Sequence, residues 1–211
     1  MYLHNRSARI ALVLICAALT QSLEAAPFCA LRDPIESVYE LFPGSTGYRS
    51  IVRRVEPSIR ETIASAVPFT VHAREIGKHT LYVALQDAAP LGYLHARTEE
   101  SQWGMMEITW ALGLDLSIQG LNFQRCRDPG CQKLLDTRFL EVLDGRRLDQ
   151  LVGTDFEQTA ASIMTEAGIP AGDHDLQVLV VAILKSAIKT QIITADVWAD
   201  VVAENASTGD S

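Results

Sequence analysis

The sequence predicts an α+β fold: a single domain in which N-terminal and C-terminal helices flank a mainly antiparallel sheet. Two observations lead to this prediction. Helical patterns occupy both ends of the chain, and the middle alternates apolar and polar residues at spacing two, which is typical of half-buried strands. The 211 residues are enough for one domain with a sizeable core.

Two helices are predicted before the sheet. Asp33 can cap the first, with Pro34 in its first turn, and the Phe-Pro-Gly sequence at residues 42–44 ends it. A second helical pattern covers residues 50–66, and Pro57 must kink this helix or begin a new one.

Strands follow in the middle of the chain. Residues 80–86 and 91–97 are predicted to pair through a turn at residues 87–90. The clearest alternation covers residues 106–118, where every second position is apolar and the core lies on one side. This segment is longer than a usual strand, so we expect it to contain a hairpin. We place the hairpin turn at residues 115–120 and the last strand at residues 121–126.

Helices return after the sheet, and they are predicted over residues 133–143, 155–166 and 173–203. Asp144 and Gly145 end the first of these. The last is expected to break near residues 193–194. The small polar residues 204–211 are predicted to form a disordered tail.

The N-terminus has the features of a secretory signal peptide, predicted over residues 1–25. Arg6 and Arg9 give it a basic start, and residues 10–19 form an apolar run too short to span a bilayer. Cleavage near residue 25 predicts a periplasmic or secreted protein whose α+β domain covers residues 26–203. The alternative is an uncleaved N-terminal segment that anchors the protein to the membrane.

The charge of the chain excludes several partners. The full sequence has a net charge of −8, and removal of residues 1–25 leaves 16 basic against 25 acidic residues. An acidic protein without a basic stripe is not expected to bind nucleic acid or anionic lipid. No transmembrane helix is predicted in the mature chain, because Lys185 and Lys189 interrupt the best candidate, residues 176–193.

Several segments resemble one known family in the same order along the chain. Together they cover roughly residues 41–150. One of them, Arg127-Asp128-Pro129-Gly130, stands where that family has Glu-Thr-Pro-Gly. The others are residues 41–43, 75–87, 90–92, 104–115 and 143–148. The ordered set resembles the FMN-binding domain of the G subunit of Rnf-type electron-transport complexes. The same domain type occurs in the periplasmic part of the nitrous-oxide reductase regulator.

The resemblance implies a flavin site but not the family's covalent attachment. The family carries FMN on the second threonine of a Ser-Gly-Ala-Thr-x-Thr motif, whereas this chain has residues 168–176 there, without a threonine. Asp173 and Asp175 would also repel the flavin phosphate. We therefore expect no covalent FMN. If this alignment is displaced, the threonines to consider are Thr165 and Thr190.

Non-covalent FMN is what the resemblance leaves possible. Its site is predicted beside Asp128, Pro129 and Gly130, with Trp103 stacking on the isoalloxazine ring. Trp103 adjoins a glycine at a strand start, and simple packing at the rim of the sheet is the alternative role for its ring.

Cys126 and Cys131 flank the Asp-Pro-Gly turn, which brings them together. In an oxidising compartment we expect them to form a disulfide, favoured by about 2 kcal/mol on the loop-closure model. We prefer a structural role for this disulfide over a redox-active thiol pair. A zinc site formed by the two cysteines is less favoured than either. Cys29 is left to pair between chains, to pair with one of these cysteines or to stay free.

The histidines show no pattern that predicts chemistry. His72, His79, His95 and His174 are scattered, and His95 alternates with apolar residues as a half-buried strand residue would. No nucleophile elbow, glycine-rich phosphate loop or paired-carboxylate signature is present. The sequence therefore predicts no catalytic residue.

The leading hypothesis is an exported domain with an electron-transfer or accessory role rather than a catalyst. Its expected partners are membrane electron-transport or respiratory assembly proteins. One alternative is a non-catalytic periplasmic interaction or assembly protein that binds no flavin. A weaker alternative is a thiol-disulfide redox protein that uses Cys126 and Cys131.

Overall fold

The structure is a computed structural model that describes residues 33–208. The predicted signal peptide, Cys29 and residues 209–211 lie outside the described residues. Export and the pairing of Cys29 therefore stay predictions.

A five-stranded antiparallel sheet forms the centre of the described region, in the order β1-β2-β3-β4-β5. Each strand pairs with its neighbour in sequence, so the sheet is a simple meander. The strands are β1 (Gly47–Val55), β2 (Gly77–Gln86), β3 (Ala89–Ser101), β4 (Gly104–Leu112) and β5 (Ile118–Arg125). The α+β prediction is confirmed.

Helices precede, interrupt and follow the sheet. They are α1 (Ile35–Leu41), α2 (Ile59–Ala66), α3 (Gly130–Leu135), α4 (Phe139–Leu143), α5 (Leu148–Val152), α6 (Phe156–Glu166), α7 (His174–Val197) and α8 (Ala199–Thr208), with a short 3-10 turn at Ala73–Glu75. Asp155 begins α6 as predicted, because its carboxylate accepts a hydrogen bond from the Gln158 amide.

The two faces of the sheet have different covers. Trp110 of β4 faces α7, where its indole N–H donates to the hydroxyl of Ser186 at 3.0 Å. The alternating positions face the other way, where Val38 and Phe42, from α1 and its C-terminal end, pack on the sheet. Gly92 is required there, because a Cβ atom would lie 2.7 Å from the Phe42 ring. The main core therefore lies between the sheet and α7.

The predicted second helix was wrong over residues 50–55, which form most of β1. Ile51 pairs with Leu81 of β2, and its carbonyl accepts a hydrogen bond from the Trp198 indole at 3.2 Å. β-branched residues suit this pleated surface, so tertiary pairing overrides a weak helical pattern. Pro57 separates the strand from α2, which begins at Ile59.

The hairpin expected within residues 106–118 is present, but its turn lies earlier than predicted. The turn covers residues 113–117 and β5 begins at Ile118 rather than at residue 121. The Asp115 carboxylate accepts hydrogen bonds from the Ser117 amide and hydroxyl at 3.1 and 2.7 Å. This local Asx turn reverses the chain and leaves the leucines on either side of Asp115 outside both strands.

The single helix predicted over residues 133–143 is two short helices, α3 and α4. Thr137 separates them, because its hydroxyl donates to the Leu134 carbonyl and accepts from the Phe139 amide. A threonine that satisfies backbone groups in this way competes with a continuous helix. Gly145, with φ of 73°, follows α4, where the sequence predicts the end of the helix.

The C-terminal region is more ordered than predicted. Helix α7 continues through residues 193–194 and ends at Val197, with Trp198 as its C-cap. Helix α8 extends to Thr208, so residues 204–208 are helical and the predicted disordered tail is wrong for them. Asn205 is buried, and its amide donates to the Tyr93 hydroxyl at 3.2 Å. Burial of one side chain anchors a segment whose composition predicts disorder.

Helix α7 has the length and apolar composition of a membrane-spanning segment. Most of its apolar stretch is buried against the rest of the domain, and a core helix has the same composition. No other described helix has this length and composition.

Candidate functional site

Cys126 and Cys131 form the predicted disulfide, with their Cα atoms 6.5 Å apart. Between them the Asp128 carboxylate accepts a hydrogen bond from the Gly130 amide at 2.8 Å, and the Asp128 carbonyl accepts one from the Cys131 amide at 3.0 Å. Asp128 is buried. Its carboxylate therefore shapes the loop and is not directed to solvent.

A groove of about 430 Å³ lies beside this loop, between β5 and α3. We call it the β5–α3 groove. It combines apolar and polar walls, and its lining includes Leu121, Asn122, Phe123, Arg127, Gln132 and Leu135. Its volume is within the range of small-molecule sites, which are commonly about 300–1,000 Å³.

The loop also packs against the first turns of α7. A Cβ atom on Gly130 would lie 2.8 Å from Leu179 and 3.4 Å from Leu176, so glycine permits this close approach. Lys133 of α3 pairs with Asp173 at 3.3 Å. Residues 126–131 and residues 168–176, far apart in the sequence, are therefore neighbours in the fold.

The residues predicted to bind flavin occupy different places. Asp128 and Pro129 line the β5–α3 groove, and Gly130 is buried beneath it. Trp103 lies in the turn between β3 and β4 and is 56% exposed. It is not among the residues that line the groove.

The two threonines considered for covalent attachment also differ. Thr190 is fully buried in α7, and its hydroxyl donates to the Ser186 carbonyl at 2.7 Å. Thr165 lies near the end of α6 beside a separate cleft of about 400 Å³, which His174 also lines. Of the two hydroxyls, that of Thr165 is the one near open space.

A second region holds buried charges that were not predicted from the sequence. Glu75, Arg97, Glu99 and Lys189 form a buried ionic cluster, each at most 8% exposed. Arg97 donates to the Glu75 carboxylate at 2.5 Å. The Lys189 ammonium lies 3.2 Å from Glu75 and 3.0 Å from Glu99. Two cations therefore neutralise two carboxylates inside the domain, as burial of charge requires.

Two buried histidines adjoin the ionic cluster. Nε2 of His79 lies 2.9 Å from the Glu75 carbonyl, and Nε2 of His95 lies 3.4 Å from Nδ1 of His79. Nδ1 of His95 lies 3.1 Å from the Thr194 hydroxyl. The imidazoles thus extend the polar region from the 3-10 turn to α7.

The surroundings shift the proton affinities of these groups. Burial, with the positive charge of Arg97, lowers the pKa of His79 to about 4, and the same causes lower the pKa of His95 well below its ordinary value. Burial opposes ionisation of Glu75, but Arg97 and Lys189 hold its pKa below the ordinary value. Burial raises the pKa of Glu99 despite Lys189.

A cleft of about 360 Å³ opens above the ionic cluster. We call it the Glu99 cleft. Glu75, Glu99 and Lys189 contribute to its lining, together with Phe69, Val71, His72, Glu100 and Lys185. Three of the four charged side chains of the cluster therefore reach this cleft.

One sequence signal could have revealed this region. His95, Arg97 and Glu99 alternate at spacing two along β3, so they share one face of the strand. Lys189 belongs to the same region, and it lies within the mostly apolar stretch of residues 176–193. The sequence predicts a strand over residues 91–97 with His95 half-buried, whereas the structure buries both His95 and Arg97 in an ionic interior.

No protein-family model matches this chain, and no curated protein matches it. Within residues 33–208, no group of three or more His, Cys, Asp or Glu side chains is arranged to hold a metal ion.

Proposed function

We propose that this protein is an FMN-binding-type domain with an electron-transfer or accessory role, and that it holds FMN without a covalent bond in the β5–α3 groove. The observation that carries the proposal is the contact between the Asp-Pro-Gly loop and the first turns of α7. By the family resemblance, the loop lies at the flavin site and residues 168–176 stand at the position of the attachment motif; the loop lines the groove, and the start of α7 packs against the loop.

The walls of the groove suit the two parts of FMN. Leu121, Phe123 and Leu135 offer apolar surface to the flat isoalloxazine ring, and ring stacking on Phe123 favours binding. Arg127 is exposed at the loop and offers a cation to the phosphate. The start of α7 is less suitable for the phosphate, because its carboxylates at positions 173 and 175 repel it.

A groove with this lining would bind flavin reversibly. The disulfide fixes the loop before binding, so little ordering is needed on association. An open groove leaves one side of the ring exposed to a partner protein, as electron transfer between proteins requires. The expected partners remain membrane electron-transport or respiratory assembly proteins.

The test is a fluorescence titration of the purified protein with FMN and with riboflavin. Arg127→Gln should weaken FMN binding roughly 5- to 10-fold, the effect of one exposed ion pair of about 1 kcal/mol. Riboflavin has no phosphate, so its affinity should not change. Arg138→Gln removes an exposed arginine that pairs with Glu141 and serves as the matched control. Absence of flavin binding to the unaltered protein would reject the proposal.

We also predict that the protein carries no covalent FMN, because residues 168–176 contain no threonine. Intact mass measured after co-expression with the family's flavin transferase should equal the mass of the polypeptide. An added FMN mass that survives denaturation would contradict this prediction. Thr165→Val would then identify the attachment point, since Thr190 is buried.

A second candidate is a non-catalytic interaction protein that binds no flavin. It is favoured by the position of β5, which ends the sheet and pairs with β4 alone in the described part of the chain. An edge strand beside a groove can add a strand from a partner. Two results together would support this candidate: the protein binds no flavin, and its β5 amides exchange hydrogen more slowly in extracts of host membranes.

A further inference from the structure

We propose that the Glu99 cleft binds a small zwitterion with an apolar side chain, the chemical class of a free α-amino acid. This site is separate from the β5–α3 groove and does not depend on flavin binding. The charges of its floor, the charges of its rim and the apolar part of its wall support this assignment.

The floor of the cleft is charged but balanced. Lys189 lies within 3.2 Å of both Glu75 and Glu99, and Arg97 completes the pairing of Glu75. A floor with two cations and two anions attracts neither a simple anion nor a simple cation. Burial of such a cluster is costly compared with apolar packing, so its retention beneath an open cleft favours a binding role.

The rim supplies one charge of each sign. Lys185 and Glu100 both line the cleft, and neither takes part in an ion pair with another residue in the range 33–208. The Lys185 ammonium lies 5.6 Å from the centre of the Phe69 ring. Lys185 can therefore receive a ligand carboxylate, and Glu100 can receive an ammonium group. A ligand with both groups satisfies both residues at once.

Part of the wall of the cleft is apolar. Phe69 and Val71 line it, and Phe69 is held by an edge-to-face contact with Phe156, with ring centres 5.1 Å apart. A fixed aromatic ring is a suitable surface for an aliphatic or aromatic side chain. The volume of about 360 Å³ limits the ligand to a small molecule.

The experiment compares three probes by isothermal titration calorimetry with the full chain. L-leucine has both charges, L-leucinamide lacks the carboxylate, and N-acetyl-L-leucine lacks the ammonium group. We expect L-leucine to bind and each blocked probe to bind roughly 10-fold more weakly, because each loses one ion pair. Equal binding of L-leucinamide or of N-acetyl-L-leucine would overturn the zwitterion assignment. Absence of L-leucine binding would overturn the site.

Variants assign each charge. Lys185→Gln should weaken the binding of L-leucine roughly 10-fold and leave the affinity for L-leucinamide unchanged. Glu100→Gln should also weaken the binding of L-leucine roughly 10-fold, and here the affinity for N-acetyl-L-leucine should stay unchanged. Glu61→Gln, an exposed carboxylate on α2 outside the cleft, is the control and should change nothing. FMN affinity should be unchanged in all three variants, so this site and the flavin groove can fail independently. A loss of L-leucine binding in Glu61→Gln equal to that in Glu100→Gln would count against the assignment.

Discussion

Two neighbouring strands, β3 and β4, face the same helix with opposite chemistry. The side chains of β4 that point toward α7 are all apolar and fully buried: Met106, Ile108, Trp110 and Leu112. The side chains of β3 that point the same way are Tyr93, His95, Arg97 and Glu99. Each polar residue of this set lies directly opposite an apolar partner, as Arg97 does with Ile108.

One layer of this small domain is therefore stabilised in two ways. Apolar contacts along β4 are non-directional and tolerate modest changes of shape. The charges along β3 are tolerated only while every partner is present, because an unpaired buried charge is far more costly than a lost contact. The β3 side should therefore be much more sensitive to single substitutions and to pH than the β4 side.

The largest expected effect comes from removal of the shared cation. Lys189→Met keeps the length of the side chain but leaves Glu75 and Glu99 facing each other without Lys189 between them. We expect a loss of about 3–5 kcal/mol in the free energy of unfolding. Urea denaturation followed by circular dichroism measures this loss.

Lys185→Met is the matched control, because Lys185 lies one turn earlier on α7 and pairs with no carboxylate in the described region. Its effect should stay within about 0.5 kcal/mol, as for most surface changes. Equal losses in the two variants would mean that the charge pairing of Lys189 is unimportant. Adding Glu99→Gln to Lys189→Met should recover part of the lost stability.

The next effect is a dependence on acid that β4 does not share. The folded protein keeps His79 neutral down to a pKa of about 4, whereas the unfolded chain takes up this proton near its ordinary pKa of 6.5. Protonation therefore favours the unfolded state, and stability is lost as the pH falls from about 6.5 to about 4. The contribution of His79 alone is about 3 kcal/mol. Below about 4, where His79 is protonated in both states, this loss should not increase further.

Unfolding measured at several pH values tests this expectation. His79→Gln should reduce the slope between pH 7 and 4, while Ile108→Val on β4 should lower stability equally at every pH. Because the pKa of Glu99 is raised in the folded protein, protonation of Glu99 favours the folded state as the pH falls. This effect opposes that of His79 and makes the total dependence of stability on pH shallower. A slope unchanged by His79→Gln would remove this imidazole from the explanation.

The smallest effect is expected at the disulfide, which lies near the β4–β5 side and carries no charge. Replacement of Cys126 and Cys131 by serine should lower the free energy of unfolding by about 2 kcal/mol, with the same loss at pH 7 and pH 5. Loss of flavin binding without loss of stability would favour a redox role for the two cysteines. Their structural role predicts a loss of stability, together with weaker flavin binding, because the loop must then be ordered on association.

The sequence predicted the parts of this molecule that depend on short-range patterns. The alternation along β4 and the Asp-Pro-Gly turn between the two cysteines indicated a buried strand and a disulfide, and both are present. The helix predicted over residues 155–166 is likewise present as α6.

The remaining features depend on contacts that no local pattern contains. β1 is a strand because it pairs with β2, and residues 204–208 are helical in a segment that Asn205 holds to Tyr93, on β3. The ionic cluster joins positions from the 3-10 turn, β3 and α7, and each of its members by itself has the composition of an exposed residue. The alternation along β3 places His95, Arg97 and Glu99 on one face, but their pairing with Glu75 and Lys189 follows only from knowledge of which faces meet.

The meander of the sheet has a consequence for the order of folding. Every strand pairs with its neighbour in sequence, so the sheet can form from local contacts. The bond between Glu75 and Lys189 instead joins residues 114 positions apart. Loop closure over that distance and removal of water from four charges favour late docking of α7. Lys189→Met should then accelerate unfolding much more than it slows refolding, which stopped-flow kinetics can measure.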